Sequence, residues 1–373
     1  MSGAATPRLE IYPERITYNA LSVVELGHQH GATVAGVAKV TCAHPAVVDA
    51  LVAGGVDLIA DSRIDNLRQT RERGIELPLM LLRISERSRA AEVVEYADIS
   101  LNSSLITMEV LSDAAIAAGK RHQVILMVDV GDLREGVWPD RAVEVAFGAA
   151  QLRGIEVVGL GCNLACFGGV VPSEENMRLL VEVRDACRAA TGLELPMLSG
   201  GNSASLPFLA SGHMPPEINN FRMGESIILG RNVFDRSPWP GTRQDTVQLV
   251  VEVVELERKP SVPIGKRGQN AFGEEPAFED RGTRLRAIFN VGRQDVIVDG
   301  LDPLDPNISI LGASSDHLIL DVEDMAGVES LRVGDEMAFY PDYAALLALS
   351  TSPYVEKVVV AGPPSGPARW AVG

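Results

Sequence analysis

A lysine closes the first strongly apolar segment of the chain. Lys39 lies near the end of Ala32–Val40, a run otherwise made of small and β-branched residues. Lysine is rarely buried without a partner, and burial lowers its pKa. An amine at this place could therefore be neutral and nucleophilic, as Schiff-base chemistry requires. The alternative is a lysine whose amine reaches out of the strand end into water, and position alone does not decide between the two.

A turn rich in glycine and hydroxyl groups follows a later apolar run, Leu195–Leu198. It reads Ser199-Gly-Gly-Asn-Ser-Ala-Ser205. Exposed backbone N–H groups and serine hydroxyls in such a turn, close to the start of a helix, are suited to holding the oxygens of a phosphate. A Gly/Ser turn that binds nothing is the common alternative.

An arginine lies within the next apolar run, Ile218–Arg222. A buried guanidinium needs a partner, because an unpaired charge is costly to remove from water. Barrels of alternating strands and helices often bind phosphate after their seventh and eighth strands. Lys39, the Ser199–Ser205 turn and Arg222 together therefore suggest pyridoxal 5'-phosphate (PLP) as a cofactor.

The elements that must position these residues alternate between short apolar runs and longer segments with helical spacing. Pro45–Ala53 and Glu174–Ala190 show that spacing clearly. Strands that are apolar along their whole length and joined by helices indicate parallel strands buried on both faces. Eight of them predict a (β/α)8 barrel, with an open doubly wound sheet as the alternative. The predicted strands are Ala32–Val40, Val56–Ala60, Leu77–Ile84, Ala97–Leu101, Gln123–Val130, Val157–Leu160, Leu195–Leu198 and Ile218–Arg222.

The pattern changes near Arg236, after which valine and isoleucine alternate with polar residues. Short alternating runs separated by turns of Gly, Asp and Pro predict a mainly antiparallel β domain. We therefore expect a barrel over residues 10–238, a β domain over 239–362 and a tail over 363–373. The polar stretch Ser261–Arg281 is expected to be a long loop. The predicted strands are Val247–Leu256, Arg284–Val291, Asp295–Val298, Ser309–Leu311, His317–Val322 and Glu336–Tyr340.

Composition is that of an ordinary globular protein, with 46% hydrophobic and 22% charged residues among 373. The net charge of −17 argues against nucleic acid or an anionic membrane as a partner, since both need a basic face. Met1–Glu10 shows no signal peptide, and no apolar stretch is long enough for a membrane span. Cysteines are sparse, and Cys162 and Cys166 have no second pair, so we expect a cytoplasmic protein without a metal site.

Several of these segments resemble motifs of one enzyme family. Val37-Ala-Lys39, Gly201-Asn-Ser203-Ala and Phe221-Arg222-Met-Gly224 are similar to the lysine, phosphate and pyridine motifs of the fold-type III PLP enzymes, the alanine racemase superfamily. The resemblance covers nearly the whole chain, with the motifs in the family's order. Four further segments together resemble the ornithine racemase branch: Ala60–Asn66, Val128–Gly136, Ser199–Ser203 and Leu311–His317.

This resemblance implies a role for each matched residue. Lys39 would hold PLP covalently and then act as a base at one face of the substrate Cα. Arg222 would face the pyridine nitrogen and keep it unprotonated, while Asn163 stands where the family usually has a histidine against the ring. Purely structural roles are the alternatives: Arg134 could neutralise a neighbouring aspartate, and Tyr343 could be a core aromatic. The predicted cofactor-binding residues are Lys39, Arg134, Asn163, Asn202, Ser203, Arg222, Gly224, Glu225 and Tyr343.

Racemisation also needs a proton donor on the opposite face of Cα. Alanine racemases use a partner-subunit tyrosine, but the closest stretch of this chain has Ile264 in its place. Asp316 and His317 are the predicted catalytic candidates, because the family segment that they match enters the partner's active site and histidine titrates near neutrality. His317 could instead be an ordinary interfacial histidine, and Cys166 is a lesser candidate.

The prediction for the whole chain is a PLP-dependent racemase of ornithine or a related basic amino acid, acting as a homodimer with shared active sites. The substrate's side-chain ammonium would need a carboxylate, with Asp132, Glu135, Glu225 and Asp316 as candidates. A non-catalytic PLP-binding protein of cofactor homeostasis is one alternative, and the additional β domain argues against it. An alanine racemase or a D-amino-acid lyase of the same fold is the other.

Overall fold

The computed structural model describes residues 5–362, and the tail predicted for 363–373 lies outside the described residues. By its internal contacts the chain divides into two compact units. Pro13–Thr246, with Gly362, form the barrel unit. Val247–Ala361, with the described residues through Tyr12, form the β unit. Strands and helices are numbered below in chain order over the whole chain.

The barrel unit contains a closed parallel sheet of eight strands, which confirms the predicted architecture. Each strand pairs with the next one in the sequence, and the last pairs back with the first, where Phe221 lies opposite Val34. Every strand overlaps a predicted run. The strands are β2 (Thr33–Val37), β3 (Leu58–Asp61), β4 (Leu79–Leu81), β5 (Ile99–Asn102), β6 (His122–Met127), β7 (Ile155–Gly161), β8 (Met197–Asn202) and β9 (Asn220–Met223).

Helices connect these strands, and their ends follow local rules. The longest begins after Ser173, whose side chain forms a capping box with Asn176, and ends at Gly192 with a φ of 70°. In the described part of the chain, no helix is long and apolar enough to cross a membrane. The helices are α1 (Pro13–Gln29), α2 (Pro45–Ala53), α3 (Ile64–Glu72), α4 (Ala90–Tyr96), α5 (Leu105–Ala117), α6 (Ala142–Ala150), α7 (Glu174–Thr191), α8 (Leu206–Ala210) and α9 (Glu225–Ile228).

Apolar side chains from successive strands fill the barrel, so its interior is a packed core and not a pore. We call the carboxyl ends of β2–β9, with the loops that follow them, the barrel mouth. Lys39, Asp61 and Asn102 lie at this end. The core cluster consists of Ala35, Val37, Leu58, Ala60, Met80, Ile99, Leu101, Ile125 and Met127.

The β unit is a mainly antiparallel sheet, as predicted. Its elements are β1 (Arg8–Ile11), β10 (Val247–Pro260), β11 (Thr283–Phe289), β12 (Leu301–Pro303), β13 (Ser309–Ala313), β14 (Leu318–Asp321), β15 (Glu336–Pro341), α10 (Tyr343–Thr351) and β16 (Glu356–Val359). The strand order is β12-β15-β10-β11-β14-β13. The N-terminal strand β1 pairs antiparallel with β10 and parallel with β16.

One predicted strand of the β unit is wrong. Asp295–Val298 forms a turn that leads into a 3-10 turn, Val298–Gly300. Val296 is buried and Ile297 exposed, as in a strand, but no strand of the described residues pairs with this segment. The Asp295 carboxylate instead accepts a hydrogen bond from Ser352 Oγ at 2.7 Å. The long loop predicted at Ser261–Arg281 is confirmed, since neither helix nor strand lies between β10 and β11.

Candidate active site

Lys39 begins a three-residue 3-10 turn almost directly after β2, at the barrel mouth. Its side chain is half-buried. Burial is the largest cause that lowers the pKa of Lys39, and the guanidinium groups of Arg134 and Arg222 lower it further. Cys166 and Asp61 act in the opposite direction. The Lys39 amine therefore loses its proton more readily than that of a lysine in water.

Arg222, in β9, is buried among neutral partners. Its Nη1 donates to Ser199 Oγ, and its Nη2 donates to Cys162 O at 2.7 Å and to Asn163 Oδ1 at 3.4 Å. No carboxylate among residues 5–362 forms an ion pair with it, and its Nε donates to none of the described residues. Burial lowers the pKa of Arg222. The site therefore contains a buried cation that keeps a donor for a bound molecule.

The Gly/Ser turn after β8 meets the end of β9 through Ser203. Ser203 Oγ accepts hydrogen bonds from the backbone N–H groups of Gly224, at 3.1 Å, and Ser226, at 3.2 Å. A Cβ atom on Gly224, directly after β9, would lie 3.1 Å from Val37 Cβ in β2, so a side chain there would require a small shift of Val37. These converging amides can bind an oxyanion. Ser226 is missing from the predicted site, because it lies two residues beyond the matched segment Phe221–Gly224.

Asn202 ties the ends of β7 and β8 together. Its Nδ2 lies 3.0 Å from Asn163 Oδ1, 2.9 Å from Leu164 O and 3.2 Å from Cys166 Sγ. Its Oδ1 accepts from the backbone N–H of Ala204 at 2.7 Å. Asn163 Nδ2 is buried, yet it donates to no group of the described chain. An unused buried donor is costly, so a bound molecule that accepts this hydrogen bond would be favoured.

Asp132 fixes the loop that follows β7. Its buried carboxylate accepts hydrogen bonds from the backbone N–H groups of Cys166 at 3.2 Å, Phe167 at 3.0 Å, Gly168 at 3.1 Å and Val170 at 3.3 Å. A Cβ atom on Gly168 would lie only 2.8 Å from Asp132 O, so the close approach requires glycine. Because both oxygens are engaged by amides, Asp132 is not available for a substrate ammonium and instead positions the loop.

The other acidic candidates of the barrel unit are paired with arginine. Arg134 forms an ion pair with Glu135. It does not neutralise Asp129, whose Oδ1 accepts from two backbone N–H groups of its own turn. Glu225, the first residue of α9, forms an ion pair with Arg236. Arg134 is partly exposed and close enough to lower the pKa of Lys39, so its charge contributes to the electrostatics of the site.

Asp61, the last residue of β3, is a buried carboxylate that is not among the predicted site residues. Its Oδ1 accepts hydrogen bonds from Arg63 N at 2.8 Å and Asn66 Nδ2 at 3.0 Å. Its Oδ2 is buried and has no partner among the described residues. Burial raises the pKa of Asp61 to about 6. The available signal was its place directly after an apolar run, the same signal that identified Lys39.

Asp316 and His317, the predicted second acid/base candidates, lie in the β unit. Both are exposed in the turn between β13 and β14. The Asp316 carboxylate accepts from Gln294 Nε2 at 2.8 Å and from Ser315 Oγ at 2.6 Å, so its two partners are neutral. Within its own unit this turn presents both side chains to solvent.

The last predicted cofactor residue, Tyr343, also lies in the β unit. It is half-buried and is the first residue of α10. Ile264, which the resemblance matches to the family's catalytic tyrosine, is 91% exposed in the long loop between β10 and β11. No aromatic hydroxyl therefore stands at that position.

The barrel corresponds to a known family. The family described as alanine racemase, N-terminal domain, matches residues 11–231. The chain belongs to the alanine racemase family. This family is PLP-dependent, and the chain is an amino-acid racemase of it.

Similar proteins support this assignment over nearly the full length of the racemase. Ornithine racemase of Acetoanaerobium sticklandii is 42% identical over 352 residues, which is 94% of this chain and 99% of the relative. Lysine racemase of Thermotoga maritima is 40% identical over 352 residues, covering 94% and 98%. The fold is similar to a crystal structure of alanine racemase from D-cycloserine-producing Streptomyces lavendulae, with a TM-score of 0.74, 17% identity and 96% and 99% coverage.

The barrel mouth of this racemase has the groups that the family's cofactor requires. PLP has an aldehyde, a phosphate and a pyridine nitrogen. The mouth offers a half-buried amine in Lys39, converging backbone amides at Gly224 and Ser226, and a buried guanidinium with an unused Nε in Arg222. The buried, unbonded Nδ2 of Asn163 is one more donor. These residues therefore fit PLP.

Proposed function

We propose that this chain is a PLP-dependent racemase of ornithine or a related basic amino acid. The observation that carries the proposal is the barrel mouth. There the half-buried Lys39 amine lies in the field of Arg222, a buried cation without a carboxylate partner. The two relatives of about 40% identity are named for ornithine and lysine, which supports a substrate with a cationic side chain.

In this proposal the cofactor is held by Lys39, Arg134, Asn163, Asn202, Ser203, Arg222, Gly224, Glu225 and Tyr343. PLP, when bound, delocalises the electron pair left at Cα after a proton is removed. Arg222 would donate from Nε toward the pyridine nitrogen and, being a cation, would keep that nitrogen unprotonated. The amides of Gly224 and Ser226 would hold the phosphate. Lys39, with its lowered pKa, takes the Cα proton at one face.

The proposed enzyme is a homodimer in which each site is completed by the other subunit. Among the four candidate carboxylates, Asp132 is engaged by four amides, and Glu135 and Glu225 are paired with arginine. Asp316 has neutral partners only. Asp316 of the partner subunit is therefore the group that we assign to the substrate's side-chain ammonium. A carboxylate bonded to neutral groups keeps its full charge for a cation.

The experiment is a racemisation assay of the PLP-loaded protein with L-ornithine, L-lysine and L-alanine, followed by chiral chromatography. We expect the D enantiomer of ornithine or lysine. Lys39→Ala should lower the rate by about 10³-fold or more, since it removes both the anchor and a base. It should also remove the visible absorbance of covalently bound cofactor.

Lys120→Ala, on the loop before β6, is the matched control and should leave rate and absorbance unchanged. Turnover of alanine but not of the basic amino acids would contradict the proposed substrate. Binding of PLP without deuterium uptake at Cα from heavy water would contradict a racemase and favour a cofactor-storage protein.

A further inference from the structure

A racemase needs a proton donor on the face of Cα opposite its first base, and the family's tyrosine is missing here. The barrel mouth contains a cysteine close to Lys39. Cys166 is exposed, whereas Cys162 and Cys187 are buried, and burial raises the pKa of these two thiols to about 12 and about 11. The fourth cysteine, Cys42, is half-buried, so Cys166 is the thiol that is exposed.

Two features hold Cys166 in place. Its backbone N–H donates to Asp132 Oδ2 at 3.2 Å, within the set of four amides that the Asp132 carboxylate binds. The preceding residue, Ala165, has a φ of 62°, a left-handed conformation that a residue with a Cβ adopts at a cost. The Asp132 carboxylate thus holds the backbone of Cys166 at the barrel mouth.

The thiol belongs to the mouth's hydrogen-bond network. Asn202 Nδ2 donates toward Cys166 Sγ at 3.2 Å, and the same amide bonds Asn163 Oδ1, which also accepts from Arg222. A donor at the sulfur stabilises a thiolate once the proton has left.

An independent observation indicates a ligand beside this network. Asn163 is only 8% exposed, and its buried Nδ2 donates to no described residue. The unused donor lies three residues before Cys166 and one hydrogen bond from Arg222. A molecule that accepts from Asn163 therefore lies within the same ring of side chains as the thiol and the Lys39 amine.

We propose that Cys166 exchanges the proton at the face of Cα opposite Lys39, an inference that rests on the proposed racemase function. In one direction the Lys39 amine takes the Cα proton and becomes an ammonium. The Cys166 thiol gives its proton to the other face and becomes a thiolate. A proton then passes from ammonium to thiolate through solvent, which restores both groups. In the reverse direction a proton first passes from the Cys166 thiol to the Lys39 amine through solvent. The thiolate then takes the Cα proton and the Lys39 ammonium gives one to the other face, which restores both groups.

The charges of the two residues suit this exchange. A Cys166 thiolate raises the pKa of Lys39, so the ammonium and thiolate left after one turnover stabilise each other. Cys166 belongs to the same barrel unit as Lys39, whereas Asp316 and His317 lie in the β unit.

The decisive experiment compares inversion with exchange in heavy water for Cys166→Ala, Cys166→Ser and Cys187→Ala, all loaded with PLP. Removing one of two bases should lower racemisation by about 10²–10⁴-fold. Lys39 should still exchange the Cα proton of one enantiomer for deuterium without inverting it. Cys187→Ala, a buried thiol in α7, should behave like the parent.

Full racemisation by Cys166→Ala would overturn the inference and leave the proposed function standing. So would the one-enantiomer exchange pattern in His317→Asn instead of in the Cys166 variants. If the parent racemises no amino acid, the proposed function fails, and the role of Cys166 fails with it.

A second measurement does not depend on turnover. Iodoacetamide labelling of the PLP-loaded parent, read by mass spectrometry of the cysteine peptides, should modify Cys166 far faster than Cys187. Ornithine at saturating concentration should slow the labelling of Cys166 by about tenfold or more, because the substrate Cα would lie against the sulfur. Equal labelling with and without ornithine would overturn the inference, even if the variant has lost activity through misfolding.

Discussion

The polar side chains at the two ends of the barrel differ in whether their hydrogen bonds are satisfied. At the amino end, the side chain of the residue before a strand accepts a hydrogen bond from a backbone N–H of the neighbouring strand. Asp57, before β3, accepts from Val34 N at 2.7 Å, and Asp98, before β5, accepts from Leu79 N at 2.7 Å. Asn219, before β9, accepts in the same way from Leu198 N at 2.8 Å. These side chains satisfy backbone donors and so stabilise the sheet.

At the mouth, the polar side chains at the ends of strands keep unused atoms. Asp61 Oδ2, Asn102 Oδ1 and Asn163 Nδ2 are all buried without a partner among the described residues, at the ends of β3, β5 and β7. Arg222 is buried without a carboxylate. One atom departs from this division: Nε2 of His30, before β2, is also unbonded, and its ring packs edge-on against Phe221.

The difference teaches where the fold is stabilised and where it is available for binding. A buried polar atom without a partner costs about 1–3 kcal/mol. The amino end avoids that cost, whereas the mouth retains it in several places. A ligand that supplies the missing partners recovers part of this free energy on binding, so an unsatisfied mouth favours occupancy. We therefore expect substitutions at the amino end to change stability and those at the mouth to change binding and rate.

The largest predicted effect on stability concerns His122, at the amino end. Its Nε2 lies 2.7 Å from Ser100 Oγ, and burial lowers the pKa of His122 to about 4. Between about pH 6.5 and pH 4 the unfolded chain binds a proton that the folded chain does not. The contribution of His122 to the free energy of unfolding should therefore fall by about 3.5 kcal/mol as the pH is lowered through this range.

His122→Gln retains an amide that can bond Ser100 and should remove this pH dependence. Urea unfolding at a series of pH values measures it. His213→Gln, at an exposed histidine, is the control and should keep the slope of the parent. If His122→Gln keeps that slope as well, the claim that His122 is buried as a neutral imidazole is wrong.

The next effect has the opposite sign and comes from the mouth. Burial raises the pKa of Asp61 to about 6, so between about pH 4 and pH 6 the folded chain holds a proton that the unfolded chain releases. This contribution to stability is complete at pH 4 and is lost as the pH rises to 6. Asp61→Asn keeps an acceptor for Arg63 N. Its free energy of unfolding should exceed that of the parent by about 3 kcal/mol at pH 8 and should equal it near pH 4.

Differential scanning calorimetry at both pH values measures the gain. Asp57→Asn, the amino-end counterpart, should lower stability at pH 8, because its charge is bonded to Val34 N and to His28. Since Asp61 and His122 act in opposite directions between pH 4 and pH 6, each contribution is measured as the difference between its variant and the parent at the same pH. A loss of stability in Asp61→Asn at pH 8 would contradict the division between the two ends.

The barrel could be predicted because its strands are buried on both faces, so apolar runs mark them directly. Lys39 and Arg222 were recognised because a charge at or in such a run has few structural explanations. The segment wrongly predicted as a strand, Asp295–Val298, alternates between buried and exposed residues but has no partner strand. Alternation alone does not indicate whether a segment pairs with a neighbour. Strand β1 is short, and its partner β10 begins more than two hundred residues later, so no local pattern could indicate it.

The roles of Asp132 and Asp61 could not be predicted for another reason. Asp132 binds backbone amides more than thirty residues away. Nearly every residue has a backbone amide, so the sequence does not show which of them will bind a carboxylate. Candidate residues of the site could be predicted from the sequence. The sequence could not distinguish a carboxylate that binds substrate from one that positions a loop. That distinction depends on hydrogen bonds that the chain forms only once the barrel is closed.

The smallest predicted effect tests whether the amino end is purely structural. Asp98 Oδ2 accepts from Leu79 N, the first residue of β4, and pairs with Arg71 Nη2 at 2.5 Å near the surface. The exposed ion pair contributes little, so Asp98→Ala should cost about 1 kcal/mol of unfolding free energy, mainly from the lost strand hydrogen bond. Because the site lies at the other end of the barrel, kcat and KM should match the parent at a temperature well below unfolding. A change in KM without a change in stability would show that the two ends are coupled, and the division of labour along the barrel axis would have to be abandoned.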